Sequence, residues 1–449
     1  MNRWIKVTLV LLILFLGTAV LGWLALPRVV DALPGSIRGR LPEPIIDLVT
    51  TPLPTALPAP QVSSQNTPFN ITIPALAPVE PTETITAEPV ETAAAEPSET
   101  AALEPTPTLV PSPTPSPQPT ATKIPPPPSA RINGMAVIPQ RFNNCGPTNL
   151  SMTLNYYTEP RDQLEIAAVL KPNADDRNVS PEELVNYVNE QTNLRAAAYS
   201  GGSLELMKHL LAAGFPVIVE KGLIEDPDHG WIGHYVTLFG YDDGRQEFDT
   251  LDTFLGPWDS SGLPVSYTEM AEYWNHFNHT FVLVYRPEQE SQVREILGPV
   301  MLDPPAMWQQ AALAAQQQVE AEPDNAFAWF NLGTNLTHLA QLTGEMAYYE
   351  GAVSAFDRAR EIGLPFRMLW YQFQPYPAYL AVGRYEDVFT LVNAVLSNSG
   401  GLDVEETYYY QGQLREAMGD AAGAVVSYQE AVRLNPGYEA AVAALAEAE

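Results

Sequence analysis

Cysteine is almost absent: Cys145 is the only one in 449 residues. No intramolecular disulfide can form, and no zinc site can be built from thiolates. Basic residues are scarce too, with 23 Lys and Arg against 53 Asp and Glu, a formal net charge of −30. That argues against nucleic acid as a partner, because phosphate backbones are bound by clustered Lys and Arg. An anionic membrane surface would repel such a chain, whereas a charge of this sign and size keeps an exported protein soluble. The six histidines, His209, His229, His234, His276, His279 and His338, fall at no spacing that makes a metal site. Neither metal nor cofactor is expected.

Long apolar runs are limited to one. Residues 7–26 carry no charge and follow Arg3 and Lys6. About 20 apolar residues cross a bilayer core as a helix, so residues 1–30 are read as a transmembrane anchor, with cleavage as a signal peptide the alternative. Residues 31–130 are dominated by Pro, Thr, Ala, Ser and Glu. They lack the apolar periodicity that offsets chain entropy and are expected to be a disordered, partly polyproline stalk. Such stalks suit the cell surface. The expectation is a single-pass membrane protein with its N-terminus cytoplasmic and its bulk outside the cytoplasm.

At residue 131 the composition becomes that of a folded domain. A helix is predicted to start near Cys145, after the cap-type residues Asn143 and Asn144 and with Pro147 in its first turn. Leu150, Leu154 and Tyr157 give it an apolar face. Ser180 and Glu183 match a capping box for a second helix, and a third spans residues 203–213. Strands are predicted at 216–220, 234–241, 247–252 and 280–285, with a hairpin turn at 242–244. Helices first and strands later read as an α+β domain over residues 131–290.

After a linker at 291–305, residues 306–449 repeat at about 34 residues. Tyr408, Gly412, Gly419, Ala424, Tyr428, Ala431 and Pro436 form the clearest unit. Tyr379, Gly383 and Tyr385 open an earlier one. Trp329, Gly333, Ala352 and Phe356 fit a first if an insertion lies around 341–347. The spacing resembles the tetratricopeptide repeat family, which implies an α-solenoid with a terminal capping helix and a concave face that binds a protein partner. That face should present residues near 331–335, 372–379 and 411–415.

The chemistry concentrates in residues 140–148. A thiol attacks as thiolate, and a helix N-terminus at Cys145 favours that anion. Gly146 leaves the approach open. Gln140 can return its amide beside the sulfur and form, with the Cys145 N–H, a two-donor oxyanion hole. His234 opens the strongest strand pattern and is held rigidly, as a base must be. The following hairpin would bring Asp252 beside it to orient the imidazole, with Asp249 nearby as the other candidate.

The segment from Gln140 to Cys145, Gly146 and Pro147, the strand of Gly233 and His234, and the turn after Asp252 together resemble the peptidase C39-like branch of the papain-like cysteine peptidases. The resemblance places the nucleophile on Cys145, the base on His234, the orienting carboxylate on Asp252 and the oxyanion donor on Gln140. Thr253 stands where the family more often has Pro or Ser. No transporter or nucleotide-binding segment is present, so leader cleavage at a double glycine is not implied. The expectation is a membrane-anchored hydrolase of peptides or amides. The alternatives are a non-catalytic adaptor that binds peptides, or an acyl transferase using the same residues.

Overall fold

The computed structural model describes residues 56–61, 73, 125–224, 230–398 and 400–448. The expected anchor at residues 7–26, most of the Pro/Thr-rich stretch and His229 lie outside them. Among the described residues no helix is long and apolar enough to cross a membrane.

The α+β part opens with β1 (Ser129–Arg131) and α1 (Cys145–Tyr156). The predicted apolar face of α1, Leu150, Leu154 and Tyr157, is buried against α2 (Gln163–Leu170) and α3 (Pro181–Gln191). α3 starts at the capping box read from the sequence. Ser180 Oγ accepts from the Glu183 N–H at 3.2 Å, and Glu183 Oε2 accepts from the Ser180 N–H at 2.7 Å. Then come β2 (Arg195–Tyr199), α4 (Leu204–Ala212), β3 (Val217–Ile224), β4 (Trp231–Asp242) and β5 (Glu247–Leu251). β6 (Leu263–Ser266), α5 (Tyr267–Asn275) and β7 (Phe281–Tyr285) complete the domain. The sequence reading has no β2. Three successive alanines are weak strand formers, and this strand takes its conformation from pairing with β7.

The described strands pair antiparallel in the order β2-β7-β3-β4-β5-β6, with β1 beside the far end of β4. One irregularity in this sheet matters for the site. Near the turn, β4 and β5 pair Tyr241 with Phe248 and Gly240 with Asp249; beyond a bulge they pair Leu238 with Thr250 and Thr237 with Leu251. Phe239 is the extra residue. A one-residue shift exchanges the two faces of a strand. With the bulge, Asp252 continues opposite Val236 and shares the face of His234. Without it, Asp252 would point to the other side of the sheet.

The helical region comprises α6 (Glu290–Met301), α7 (Pro304–Ala321), α8 (Ala326–Thr343), α9 (Met346–Ile362), α10 (Pro375–Ala381), α11 (Tyr385–Leu396), α12 (Glu405–Ala417), α13 (Ala421–Leu434) and α14 (Glu439–Ala448). Successive helices pack as antiparallel pairs. Gly412 is needed at one crossing, because a Cβ there would stand 2.3 Å from the Tyr428 ring.

Two expectations are corrected here. Residues 291–305 are mostly helical rather than a linker: Val293, Leu297 and Met301 recur every four residues and are buried, with a break at Gly298, where φ is 74°. Nor is the whole of residues 31–130 without packing. Ala56–Gln61 lie along the helical region, with Leu57 buried and its N–H donating to Leu364 O at 2.9 Å. The buried Arg360 guanidinium donates to Pro58 O and Ala59 O. A proline-rich strand lacks internal hydrogen bonds, so its free carbonyls suit such a donor.

The polar residues expected to meet a partner bond within the chain instead. Asn331 Nδ2 donates to Asn275 O at 2.7 Å. Asn335 exchanges amide bonds with Asn278, and Gln372 Nε2 donates to His276 O at 2.9 Å. Arg415 donates to Gly423 O and Ser427 Oγ. The first three contacts seat the helical region on the α+β domain. A second contact area is acidic. Glu405 and Glu406 of α12 face Asp176, Asn178 and Glu183, with Lys171 the cation among them. Burial, then the charge of Glu405, pushes the Glu183 carboxyl up to about 7.

A carboxyl raised in the folded state holds its proton there while the unfolded chain has lost it. Stability contributed by Glu183 is therefore full below about pH 4.5 and lost as pH rises through 7. Glu183→Gln keeps both capping bonds. It is expected to stabilise the protein by about 1–2 kcal/mol at pH 8 and by almost nothing at pH 4.5. Thermal unfolding of both proteins at the two pH values checks this; an equal change at both would refute it.

Candidate active site

The turn before α1 is built by side chains from α2 and beyond it. Gln163, almost fully buried, clamps both sides of Cys145. Its Oε1 accepts from the Arg141 N–H at 2.8 Å, Asn144 Nδ2 at 2.9 Å and Thr148 Oγ at 2.9 Å, while its Nε2 donates to Pro139 O at 2.9 Å. Lys171 Nζ donates to Asn143 O at 2.8 Å, across a turn in which Asn143 has a positive φ of 51°. Asn144 occupies the cap position, but its side chain serves Gln163 and makes no capping bond. The first N–H groups of α1 therefore stay available at the sulfur, since helix ends leave them without intrahelical acceptors. The Gly146 N–H is directed at the Cys145 sulfur.

His234 and Asp252 lie where the bulged hairpin brings them. His234 Nε2 and Asp252 Oδ1 are 3.0 Å apart, both side chains almost fully buried. Asp252 Oδ1 also accepts from the N–H groups of Phe254 at 2.9 Å and Leu255 at 2.8 Å. With Nε2 engaged by Asp252, Nδ1 is the ring nitrogen left for Cys145, whose proximity raises the affinity of the ring for a proton. Asp249, the other candidate, is taken by Arg131 at 2.7 Å.

The charges reinforce one another. Burial pushes the Cys145 thiol up, but the hydrogen bond and charge of His234 outweigh it and hold the thiol below its usual value. Burial lowers His234, yet Asp252 and Cys145 raise it to about 9. Burial raises Asp252, and His234 with the two N–H donors brings it below the usual carboxylate range. The net effect favours a thiolate beside an imidazolium, braced by a carboxylate.

Gln140 is tied to the turn after Asp252. Its N–H donates to Thr253 O at 2.9 Å, and its Oε1 accepts from Thr253 Oγ at 2.7 Å. The Thr253 hydroxyl thereby fixes the amide so that Nε2 is the end left to donate.

The other described histidines are engaged elsewhere. His276 stacks on Phe327 with centroids 3.7 Å apart and accepts from Trp231 Nε1. His338 stacks on Trp308 at 3.8 Å, His279 sits edge-on to Trp274, and His209 pairs with Glu205.

Sequence reasoning missed the residues that hold the pair in place. Asn149 Nδ2 donates to Tyr235 O at 2.8 Å, and its Oδ1 accepts from Thr237 Oγ at 2.7 Å, joining α1 to β4. The run of polar residues Thr148, Asn149, Ser151 and Thr153 inside an otherwise apolar helix was a readable signal, since a buried polar group needs a partner. Tyr371, from the helical region, lines the cleft at Cys145 together with Gly146, Val179, Glu220 and Tyr235. Nothing in the repeat pattern pointed to it.

Residues 128–282 match the family described as the Peptidase_C39 like family. This segment is a C39-like peptidase domain, followed by a helical C-terminal region. Among solved structures it is similar to a C39-like peptidase from Bacillus anthracis, at 18% identity over 35% of this chain and 98% of that one, TM-score 0.29. It is also similar to the peptidase domain of Streptococcus ComA, a bi-functional ABC transporter involved in quorum sensing (13%, 34% and 99%, TM-score 0.27). A third is xylellain, a cysteine protease from Xylella fastidiosa (12%, 36% and 87%, TM-score 0.28). No curated protein matches the chain.

Cys145 is expected to be alkylated by iodoacetamide already near pH 6, where an ordinary thiol with pKa of about 8.5 is almost wholly protonated. The rate should fall only on further acidification, as the thiolate gains its proton. His234→Ala removes the counter-charge and should shift the profile to higher pH. Rates measured from pH 4 to 9 decide it, and a profile like that of a model thiol would contradict the ion pair.

Proposed function

We propose that the domain hydrolyses peptide or related amide bonds through Cys145, His234, Asp252 and Gln140. What supports the reading most is His234 standing 3.0 Å from Asp252 and close enough to Cys145 that each shifts the other's affinity for a proton. The Cys145 thiolate attacks the carbonyl carbon, and the Cys145 N–H and Gln140 Nε2 hold the oxygen that becomes negative. The C–N bond breaks as His234 gives its proton to the leaving amine. His234 then takes a proton from water, which attacks the thioester, breaks the C–S bond and releases the acid, leaving the Cys145 thiolate beside the charged ring.

Cys145→Ala is expected to abolish turnover across a peptide library. Gln140→Ala should lower kcat by about 100-fold or more with KM nearly unchanged, because its donor acts on the transition state. A library with no Cys145-dependent cleavage would sink the reading, and a loss confined to KM would make Gln140 a substrate contact.

In the same reading residues 7–26 anchor the chain and its bulk lies outside the cytoplasm; their apolar, uncharged composition is the support. The C-terminal helix pairs are tetratricopeptide repeats that brace the peptidase domain. The full chain should resist carbonate extraction from membranes, and deletion of residues 1–30 should release it. Recovery of a soluble form beginning just after residue 26 would overturn the anchor.

A further inference from the structure

The cleft at Cys145 is not made by the peptidase domain alone. Its wall on the His234 side is Tyr371, which follows a short 3-10 helix, Phe366–Trp370, of the helical region. Gly233 lets that wall come close. Gly222 and Gly233 face each other across β3 and β4. A Cβ on Gly233 would stand 2.9 Å from the Tyr371 ring and 2.8 Å from Phe277.

The ring is held on every side. It meets Trp231 edge-on with centroids 5.8 Å apart and Phe277 at 6.0 Å. Arg367 Nη1 donates to Trp231 O at 3.1 Å on one flank, and Gln372 Nε2 donates to His276 O at 2.9 Å on the other. A side chain anchored on both flanks is a fixed wall rather than a swinging lid. The space it leaves is small. The cleft beside Cys145 has room for little more than one water-sized group.

We propose that Tyr371 determines which side chains the Cys145 cleft admits: small groups beside the reacting carbonyl enter, and aromatic or other bulky ones are excluded by its ring. For substrates this rests on the hydrolase reading above. For access to the thiol it stands on the geometry of the wall. Helix pairs that otherwise brace the domain thereby supply a specificity-determining residue.

The test uses the full chain and two alkylating reagents, iodoacetamide and its N-naphthyl derivative. In each case Cys145 displaces iodide and forms a thioether, so the rate ratio reads access without requiring turnover. The unaltered protein should strongly prefer the small reagent. Tyr371→Ala is expected to reduce that preference at least about 10-fold, the scale of discrimination a shaped pocket gives. Tyr371→Phe, which keeps the ring and loses the hydroxyl, should retain it. Tyr371→Leu should fall between and serves if the alanine variant does not fold. An unchanged ratio in the alanine and leucine variants would overturn the proposal, as would equal acceleration of both reagents, which would make Tyr371 a general cover. Peptide amides with Ala or Phe before the cleaved bond form the substrate arm. If the alkylation ratio shifts but no peptide is cleaved, the hydrolase reading fails and the wall remains.

Discussion

One buried amide fixes the distance between the thiol and the imidazole. Asn149 stands one helical turn after Cys145, and its side chain spans from α1 to β4 at Tyr235 and Thr237, the residues around the strand that carries His234. The groups it satisfies are sealed from water, and an unmet buried polar group costs about 1–3 kcal/mol. Sliding or tilting of α1 against the sheet would break both bonds at once. The helix therefore has one position on the sheet, and the sulfur has one position relative to the ring. Gln163 plays the matching part for the turn that precedes the helix.

Within this frame the charges depend on one another. The thiol is low because the imidazole is charged, the imidazole is high because a carboxylate lies behind it, and the carboxylate is low because two backbone N–H groups and the ring meet it. Each group alone would be neutralised by burial. The bulge at Phe239 is what allows the third member to join, by turning Asp252 to the face of His234.

Much of this could be read from the chain. Cys145 before a helix, His234 at the head of a long strand and Asp252 past a hairpin are local patterns, and the α+β class follows from the order of helices and strands. The capping box at Ser180 was legible for the same reason. What could not be read depends on distant contacts. The bulge has no residue signature at Phe239, β2 is strand only through β7, and residues 290–301 are largely helical because Val293, Leu297 and Met301 find a core. The polar faces of the helix pairs looked free because composition does not say what covers them. Here it is the neighbouring domain, through Asn275, His276 and Asn278.

The docked strand at Ala56–Gln61 bears on reach. Read as a free stalk, residues 31–130 would let the folded body travel at the end of about a hundred residues, each adding up to about 3.5 Å when extended. With Leu57 buried and Arg360 gripping Pro58 and Ala59, an attachment among the described residues lies about thirty residues past position 26, which under the proposed anchor sets the longest free tether. A tether of about thirty residues spans at most ~100 Å, roughly a third of the full-length figure. Under the anchor proposed above, the volume the body can sweep would fall with the cube of that ratio, and the local concentration of anything sharing the surface with it would rise accordingly.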